Sequence, residues 1–479
     1  MQSISRLHQT VSLVLIAAAL WVAAHTVWTP WSYWFDELFS VTMSGQSLSG
    51  VLSSLMQDVH PPLYQLLLKG VIQAVGDAEP TLRTLSWLFA TAGLAITTLM
   101  LRRYGNMAAW FGALLFATNW LYPYYATEVR SYAMMLALSS LTCGLFLNRR
   151  SRAALLVCCL LLSLTHYFGL IVAGIILAAE CLTALRARRG FLAPFVTGLL
   201  ALVWPICHFK LGQLGQHTGG SFWIKVDSPL DTLAMYAVGY IPGHADKGIW
   251  LIVPAVLMAG AYIWRQIAPG QAEARQETAW AGLRAFYVVV ATLLVVMVID
   301  QNTPMSTPKN YVVLMPPTVM LLAITAQLAW QRSAKLQPVI SVVLCLYCAV
   351  AVWVSHDKIE RKTAPFQNWK EASAYIVEHA QGRKICFYVA TGSSKWDDVN
   401  IANHYLVQQS GGKLRADHCD PVRQPIHGPY LVLYGQNPGP SQQRLTEALG
   451  PQNIQLDVRP KQSTDRSNGA VGVFVVNAP

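Results

Sequence analysis

The chain has 479 residues, of which 54% are hydrophobic and only 12% carry a charged side chain, and its mean hydropathy is +0.37. These values exclude an ordinary soluble globular protein and are typical of a polytopic membrane protein. The formal net charge of +11 would indicate nucleic-acid binding in a soluble chain. Here the basic residues lie in short clusters between apolar segments, so they predict membrane orientation and no nucleic-acid partner.

Eleven apolar segments of approximately membrane-spanning length follow one another along the chain. We interpret the first, residues 11–28, as an uncleaved anchor, although small residues at Ala23 and Ala24 leave a cleaved signal peptide as the alternative. The other predicted spans are approximately 82–101, 107–121, 132–147, 153–165, 168–185, 191–209, 249–264, 285–299, 311–330 and 339–354.

Arginine and lysine clusters predict which connections face the cytoplasm. They occupy every second connection, at Arg102, Arg103, Arg149, Arg150, Arg152, Arg186, Arg188, Arg189, residues 265–284, Arg332 and Lys335. By the positive-inside rule these connections are cytoplasmic, and the alternate ones lie outside. Because the number of spans is odd, we predict a cytoplasmic N-terminus and a C-terminal domain in the periplasm of a bacterial inner-membrane protein.

The C-terminal region differs in character from the rest of the chain. After about residue 357 the apolar runs shorten to strand length, as in "KICFYVA", "PYLVLYG" and "GVFVVNA", and helix-like segments separate them. We predict a transmembrane domain over 1–356, with an outer loop at 29–81, and a small α/β domain over 357–479 that serves as a lid or acceptor-docking module.

The cysteines divide into two groups. Seven of the nine lie in or beside predicted spans, where a thiol packs like a small apolar residue. Cys386 and Cys419 lie in the predicted outer domain, where an oxidising periplasm would permit a disulfide bond. The sequence leaves two alternatives open, a bridge between these two cysteines or a pair of separated thiols.

Three motifs carry a resemblance to a known superfamily. An acidic pair in "YWFDELF" is followed in the first outer loop by "DVHPPL", and an arginine opens the next span in "LRTLSWLFA". The segments "YYATEVRSYAMML" and "STPKNYVVLMPP" complete the pattern. The chain resembles GT-C type membrane glycosyltransferases, the superfamily of the protein O-mannosyltransferases and the lipid A aminoarabinose transferases. The resemblance covers about residues 1–330 and matches the C-terminal domain only loosely.

The resemblance implies an enzyme that moves a sugar from a polyprenyl phosphate to an acceptor hydroxyl on the outer face of the membrane. A carboxylate would remove the hydroxyl proton, and cations would stabilise the departing phosphate. The catalytic candidates are Asp36 and Glu37, and the substrate-binding candidates are Asp58, His60, Arg83, Glu128, Arg130, Tyr132, His166, Lys309 and Tyr311. The family typically has an arginine before the late-loop tyrosine, and this chain departs from that pattern with Lys309 and Asn310 before Tyr311.

Several candidates have a plainer structural alternative. Asp36 could cap a helix that begins near Leu38, and Glu37 could be solvated. Asp58 and His60 could anchor the start of the helix that follows them.

Two further candidate positions also have a structural alternative. Glu128 and Arg130 could form an ion pair that joins two span ends. His166, in "THYFG", could be an interface histidine.

The sequence does not specify the sugar or the acceptor, which could be a glycan, a lipid or a protein. A divalent metal and the oligomeric state are likewise open, whereas membrane lipids and the polyprenyl-phosphate sugar are predicted partners. Two other classes of function are alternatives. A lipid-linked sugar flippase or transporter would show inverted repeats or helices broken near mid-span, which we do not find. A noncatalytic envelope assembly protein would tolerate the loss of Asp36.

Overall fold

The computed structural model describes residues 2–29, 31–188, 190–211, 224–240, 245–267, 272–363, 367–389, 399–424, 426–434, 438–450 and 471–476. Within these ranges the helices are α1 (Gln2–Val27), α2 (Phe35–Gly45), α3 (Leu48–Gln57), α4 (Leu63–Val75), α5 (Glu79–Leu101), α6 (Asn106–Thr118), α7 (Leu121–Ala126), α8 (Tyr132–Asn148), α9 (Arg152–Ser163), α10 (Tyr167–Arg186), α11 (Leu192–Leu211), α12 (Pro229–Val238), α13 (Ala245–Gln266), α14 (Glu273–Asp300), α15 (Met315–Arg332), α16 (Leu336–Thr363), α17 (Trp369–His379), α18 (Val399–Gln409) and α19 (Pro438–Leu449). Two 3₁₀ helices lie at Arg102–Tyr104 and Pro308–Leu314, and the strands are β1 (Lys384–Tyr388), β2 (Asp417–His418), β3 (Tyr430–Tyr434) and β4 (Gly472–Val476).

The described helices confirm the polytopic class that the composition predicts. By length and composition, the segments able to cross a membrane are Glu79–Tyr104, Tyr167–Arg186, Leu192–Leu211, Gly248–Gln266, Glu273–Asp300, Pro308–Arg332 and Gln337–His356. The remaining four predicted spans coincide with the shorter apolar helices Leu13–Val27, Asn106–Thr118, Tyr132–Asn148 and Arg152–Ser163. One element differs from expectation, because α14 extends back to Glu273 through helix-forming residues that the sequence assigned to a connection.

Packing within the chain separates two compact units. The first comprises Met1–Trp28, Ser47–Val71 and Leu82–Ile359, and the second comprises Thr29–Gln46, Ile72–Thr81 and Glu360–Pro479. The acidic pair therefore packs with the C-terminal residues, although it lies far from them in sequence. The division of functions between a transmembrane domain and an outer domain stays a prediction.

Small residues allow close helix packing in the first unit. At Gly112 of α6, a Cβ atom would lie 2.1 Å from Leu101 Cδ1, so a larger residue there requires the Leu101 side chain to shift. Such close approach is a common source of attraction between helices in a membrane, where apolar burial gives no advantage over lipid. The span Pro308–Arg332 is the most enclosed, with 78% of its apolar stretch buried, against 17% for Leu192–Leu211.

The second unit contains a four-stranded sheet with the strand order β2-β1-β3-β4. Strand β1 pairs in parallel with both β2 and β3, and β3 pairs antiparallel with β4. All residues of β3 and β4 are buried, as is β1 after Lys384. Continuous apolar runs are expected of strands covered on both faces, which explains why the sequence predicted these three strands well.

The structure joins Cys386 to Cys419 in a disulfide bond, which confirms the first of the two sequence alternatives. Cys386 lies in β1, and Cys419 follows β2, whose Asp417 is in register with Cys386. The two Cα atoms are 5.5 Å apart, a usual separation for a disulfide. The bond therefore links adjacent strands at one side of the sheet.

We expect the Cys386–Cys419 bond to stabilise the second unit by about 3 to 4 kcal/mol, because it closes a long loop in the unfolded chain. In a variant whose seven other cysteines are replaced, maleimide should label no thiol in the denatured, unreduced protein and two thiols after reduction. Labelling of reduced, intact cells would test the predicted periplasmic placement at the same time. Two reactive thiols without reductant, in protein purified from an oxidising periplasm, would contradict the bond.

Candidate active site

The first unit holds a polar cluster built around His60, which we call the His60 cluster: Asp58, His60, Arg130, Tyr132, His166 and Lys309. His60 Nδ1 lies 2.8 Å from Asp58 Oδ2, and Arg130 Nη2 lies 3.2 Å from His60 Nε2. Because a guanidinium only donates hydrogen bonds, Nε2 is the acceptor and Nδ1 carries the proton toward Asp58. His60 in this arrangement connects a carboxylate to a guanidinium.

The local sequence explains how His60 reaches this position. Helix α3 ends at Gln57, where the backbone of Asp58 turns extended, and Pro61 disfavours a helical conformation for His60 directly before it. Helix α4 then begins at Leu63, whose N–H donates to the Leu164 carbonyl oxygen at 3.0 Å. This bond holds the short loop that carries His60 beside the end of α9. Leu164, which accepts the bond, is two residues before His166.

His166 caps the N-terminus of α10 and contacts His60. Its Nδ1 accepts a hydrogen bond from Phe168 N at 3.2 Å, and its ring centroid lies 5.7 Å from that of His60. Burial, followed by the nearby His60, Arg130 and Lys309, lowers the pKa of His166 well below its ordinary value. His166 is therefore neutral at neutral pH, and both roles predicted for it, ligand contact and packing, use the uncharged ring.

Arg130 lies in the short connection between α7 and α8. Its backbone N–H donates to the Glu128 carbonyl oxygen at 2.8 Å, and the same oxygen accepts a hydrogen bond from Ser86 Oγ at 2.6 Å. Ser86 belongs to α5, three residues after Arg83, so this contact holds the predicted donor-binding helix against the connection. Glu128, Arg130 and Arg83 are all buried.

Lys309 and Tyr311 lie in the 3₁₀ helix that precedes α15. Lys309 Nζ lies 5.8 Å from the centroid of the Tyr132 ring, a cation–π contact, and Tyr132 in turn lies 5.9 Å from His166. Tyr311 packs its ring against Phe168 and shares a hydrogen bond with Ser306 Oγ. The predicted late-loop motif thus contributes Lys309 to the His60 cluster, in contact with Tyr132.

A buried carboxylate that the sequence did not single out as a site residue holds the loop before Lys309. Asp300 ends α14 and accepts hydrogen bonds from Thr232 Oγ1, Met305 N, Ser306 N and Ser306 Oγ. These bonds tie the loop that follows α14 to α12 and to the end of α14. In the sequence, the signal that could have identified Asp300 was its position as an acidic residue at the end of an apolar span, directly before a polar loop.

Asp36 and Glu37 lie in the second unit, in the first turn of α2. The helix begins at Phe35 rather than near Leu38, so Asp36 is inside it and Trp34 occupies the N-cap position. Glu37 is buried, and its Oε2 accepts from Trp34 N at 3.2 Å, whereas Asp36 is half-buried. Glu37 thus caps the start of α2 through the reciprocal contact of a capping box.

The arrangement of the first unit suits an anion. Arg130 and Lys309 supply two cations beside imidazole and phenol groups, and a guanidinium matches the geometry of phosphate oxygens. Among the residues that the structure describes, no group of three or more His, Cys, Asp or Glu side chains is placed to hold a metal ion.

Comparisons with solved structures give the fold. Two crystal structures of ArnT from Cupriavidus metallidurans, one in the apo state and one bound to undecaprenyl phosphate, each match 97% of this chain and 97% of their own. The TM-score is 0.55 and the sequence identity is 12% in both cases. The polytopic helical fold with a small C-terminal α/β domain is therefore confirmed. No protein-family model matches the chain, and no curated protein sequence matches it.

Proposed function

We propose that this protein is a GT-C type membrane glycosyltransferase that moves a sugar from a polyprenyl-phosphate donor to an acceptor hydroxyl. The observation that carries the proposal is the His60 cluster, in which a buried arginine and a lysine lie on short connections next to membrane-spanning helices. A second support is the fold shared with ArnT, a lipid A aminoarabinose transferase, one of whose structures contains undecaprenyl phosphate.

The cations of the His60 cluster bind the donor phosphate in this proposal. Arg130 supplies the fork that matches phosphate oxygens, and Lys309 supplies a point charge beside the Tyr132 ring. Asp58 accepts the hydrogen bond from His60 Nδ1, and His60 Nε2 accepts from Arg130 Nη2. His60 therefore orients the guanidinium.

Asp36 is the general base of the proposed reaction. As the acceptor oxygen attacks the anomeric carbon, Asp36 takes the hydroxyl proton and the bond from that carbon to the phosphate oxygen breaks. The electron pair of the broken bond stays on the phosphate oxygen. Arg83, Arg130 and Lys309 stabilise the additional negative charge of the phosphate. Glu37 keeps the start of α2 in place, and the catalytic role predicted for it remains to be separated from this capping role.

The remaining candidates complete the donor site. Tyr132, His166 and Tyr311 form an uncharged aromatic wall beside the cations, suited to contact with the sugar or the first isoprene unit. Glu128 holds the connection that carries Arg130 through its carbonyl oxygen. We propose that the reaction takes place at the outer face of a bacterial inner membrane, with the N-terminus in the cytoplasm and the C-terminal domain in the periplasm.

Mass spectrometry of envelope glycans tests this function without knowledge of the sugar. Cells with the protein should contain a glycan, glycolipid or glycoprotein that carries one additional sugar, and cells without it should lack this species. Re-expression of the wild type should restore the species, and re-expression of Asp36→Asn should not. Identical envelopes with and without the protein would contradict the proposal.

A further inference from the structure

The backbone that leads into Asp36 is held by residues that come more than three hundred positions later. Ser32 Oγ donates to the Gln367 carbonyl oxygen, and Phe35 N donates to Gln367 Oε1 at 2.7 Å. Phe35 is the first residue of α2, so its N–H is one of the donors that a helix cannot satisfy internally. Gln367 therefore caps the helix of the acidic pair from a distant part of the chain.

Gln367 is itself fixed in place. Its Oε1 accepts a second hydrogen bond, from Trp369 Nε1 at 3.0 Å, and the residue is 3% exposed. Trp369 begins α17 and is fully buried. An amide oxygen shared between two buried donors has one permitted orientation, since any rotation would leave a donor unpaired at a cost. The position of Phe35 N is therefore defined by the packing of α17.

A second contact holds the same segment from α18. Tyr33 N donates to Tyr405 Oη at 2.7 Å, and Tyr405 Oη donates to Glu79 Oε1 at 2.9 Å. Tyr33 Oη donates to the Asp77 carbonyl oxygen. Both the amide two residues before Phe35 and the amide of Phe35 itself are thus bound by side chains, directly ahead of Asp36.

We infer that Gln367 is a positioning residue for Asp36, and that the C-terminal residues hold the general base in place as well as covering or docking substrates. This inference rests on the proposed function. Gln367 does not touch the reacting groups; it acts through the Phe35 amide. Because the first turn of α2 contains both Phe35 and Asp36, an error in the position of the Phe35 amide becomes an error in the position of the carboxylate.

Kinetics of Gln367 variants separate positioning from folding. Gln367→Met removes the acceptor and should lower kcat per folded molecule by about tenfold to a hundredfold, the scale of a misplacement of about 1 Å, while the donor KM stays unchanged. Gln367→Glu keeps an oxygen at Oε1 and should stay within about threefold of the wild type, since both hydrogen bonds persist. Gln409→Met is the matched control, because it makes the same substitution at an exposed glutamine of the second unit, which donates to the Lys370 carbonyl oxygen and not to α2, and its kcat should be retained.

Hydrogen exchange of the segment 31–40 gives a readout independent of activity. The Phe35 amide should exchange at least about tenfold faster in Gln367→Met than in the wild type, and Gln409→Met should leave it protected. If Gln367→Met does not fold, Gln367→Asn, which withdraws the amide oxygen by one methylene, should show the same two changes. Unchanged kcat per folded molecule, or unchanged exchange at Phe35, would overturn the inference.

Failure of the proposed function has a different signature. If the wild type and all variants lack transfer activity, the glycosyltransferase proposal fails, and the exchange measurement still decides whether Gln367 caps α2. If the wild type is active and Asp36→Asn is not, the function stands, and unchanged turnover in Gln367→Met removes only the positioning role.

Discussion

Replacement of Asp36 with Asn is expected to lower sugar transfer by about a hundredfold or more while the protein still folds and inserts, the usual scale for the loss of a general base. The amide has nearly the same shape as the carboxylate but cannot accept a proton from the acceptor hydroxyl. Because Asp36 is half-buried and lies in the first turn of α2, the substitution should leave the helix intact. Transfer is measured as turnover per folded molecule at saturating donor.

Glu37→Gln is the matched control for Asp36→Asn. Its side-chain oxygen can still accept the hydrogen bond from Trp34 N, so the helix start should persist. Retained turnover would leave Glu37 with the capping role alone, and a loss equal to that of Asp36→Asn would give Glu37 the catalytic role that the sequence predicts. Wild-type turnover in Asp36→Asn would remove the general-base assignment and favour the alternative of a noncatalytic assembly protein.

Replacement of Arg130 with Ala is expected to weaken donor binding by about 1.5 to 3 kcal/mol, the scale of a hydrogen bond to a charged group. Arg130 is buried and oriented by His60, so it meets the phosphate with little loss of side-chain freedom. Arg83→Ala and Lys309→Ala should weaken binding by comparable amounts. Titration of the purified protein with a polyprenyl-phosphate sugar measures the dissociation constant.

Two variants separate a phosphate contact from a loss of packing or overall charge. Arg130→Lys keeps the charge but not the fork, so it should recover part of the affinity. Arg103→Ala removes an arginine that pairs with Glu277 outside the His60 cluster, and it should leave donor affinity unchanged. Unchanged affinity in Arg83→Ala, Arg130→Ala and Lys309→Ala alike would show that the donor phosphate binds elsewhere.

The architecture was predictable because its signals are local. One long apolar run in the sequence is enough to predict a membrane span, and one short apolar run is enough to predict a buried strand. The membrane helices and β1, β3 and β4 therefore follow from the sequence alone. The bounds of α14 were less predictable. Its first twelve residues, 273–284, mix charged and polar side chains with alanines and continue into the span in the same helix, and neither hydropathy nor charge marks where such a helix begins.

The contacts of the candidate site were only partly predictable. The motifs that carry Asp58, His60 and Arg130 identified the residues, but not the hydrogen bonds from His60 to both partners, which depend on the packing of α4 against the end of α9. The side chains of Asp300 and Ser86 form hydrogen bonds to backbone and hydroxyl groups of the connections between helices. No spacing rule in the sequence marks residues with such partners. Gln367 and Ser32 are 335 positions apart, so their bond was beyond any local pattern.

The most direct test of the proposed function is transfer by the purified protein in lipid vesicles with polyprenyl-phosphate sugars and an acceptor-containing envelope extract. We predict that free polyprenyl phosphate is released in equal amount to the sugar gained by the acceptor fraction, and that Asp36→Asn abolishes both. Movement of the intact donor across the bilayer without cleavage would indicate a transporter instead. Donor that remains intact with every envelope fraction would contradict the glycosyltransferase proposal.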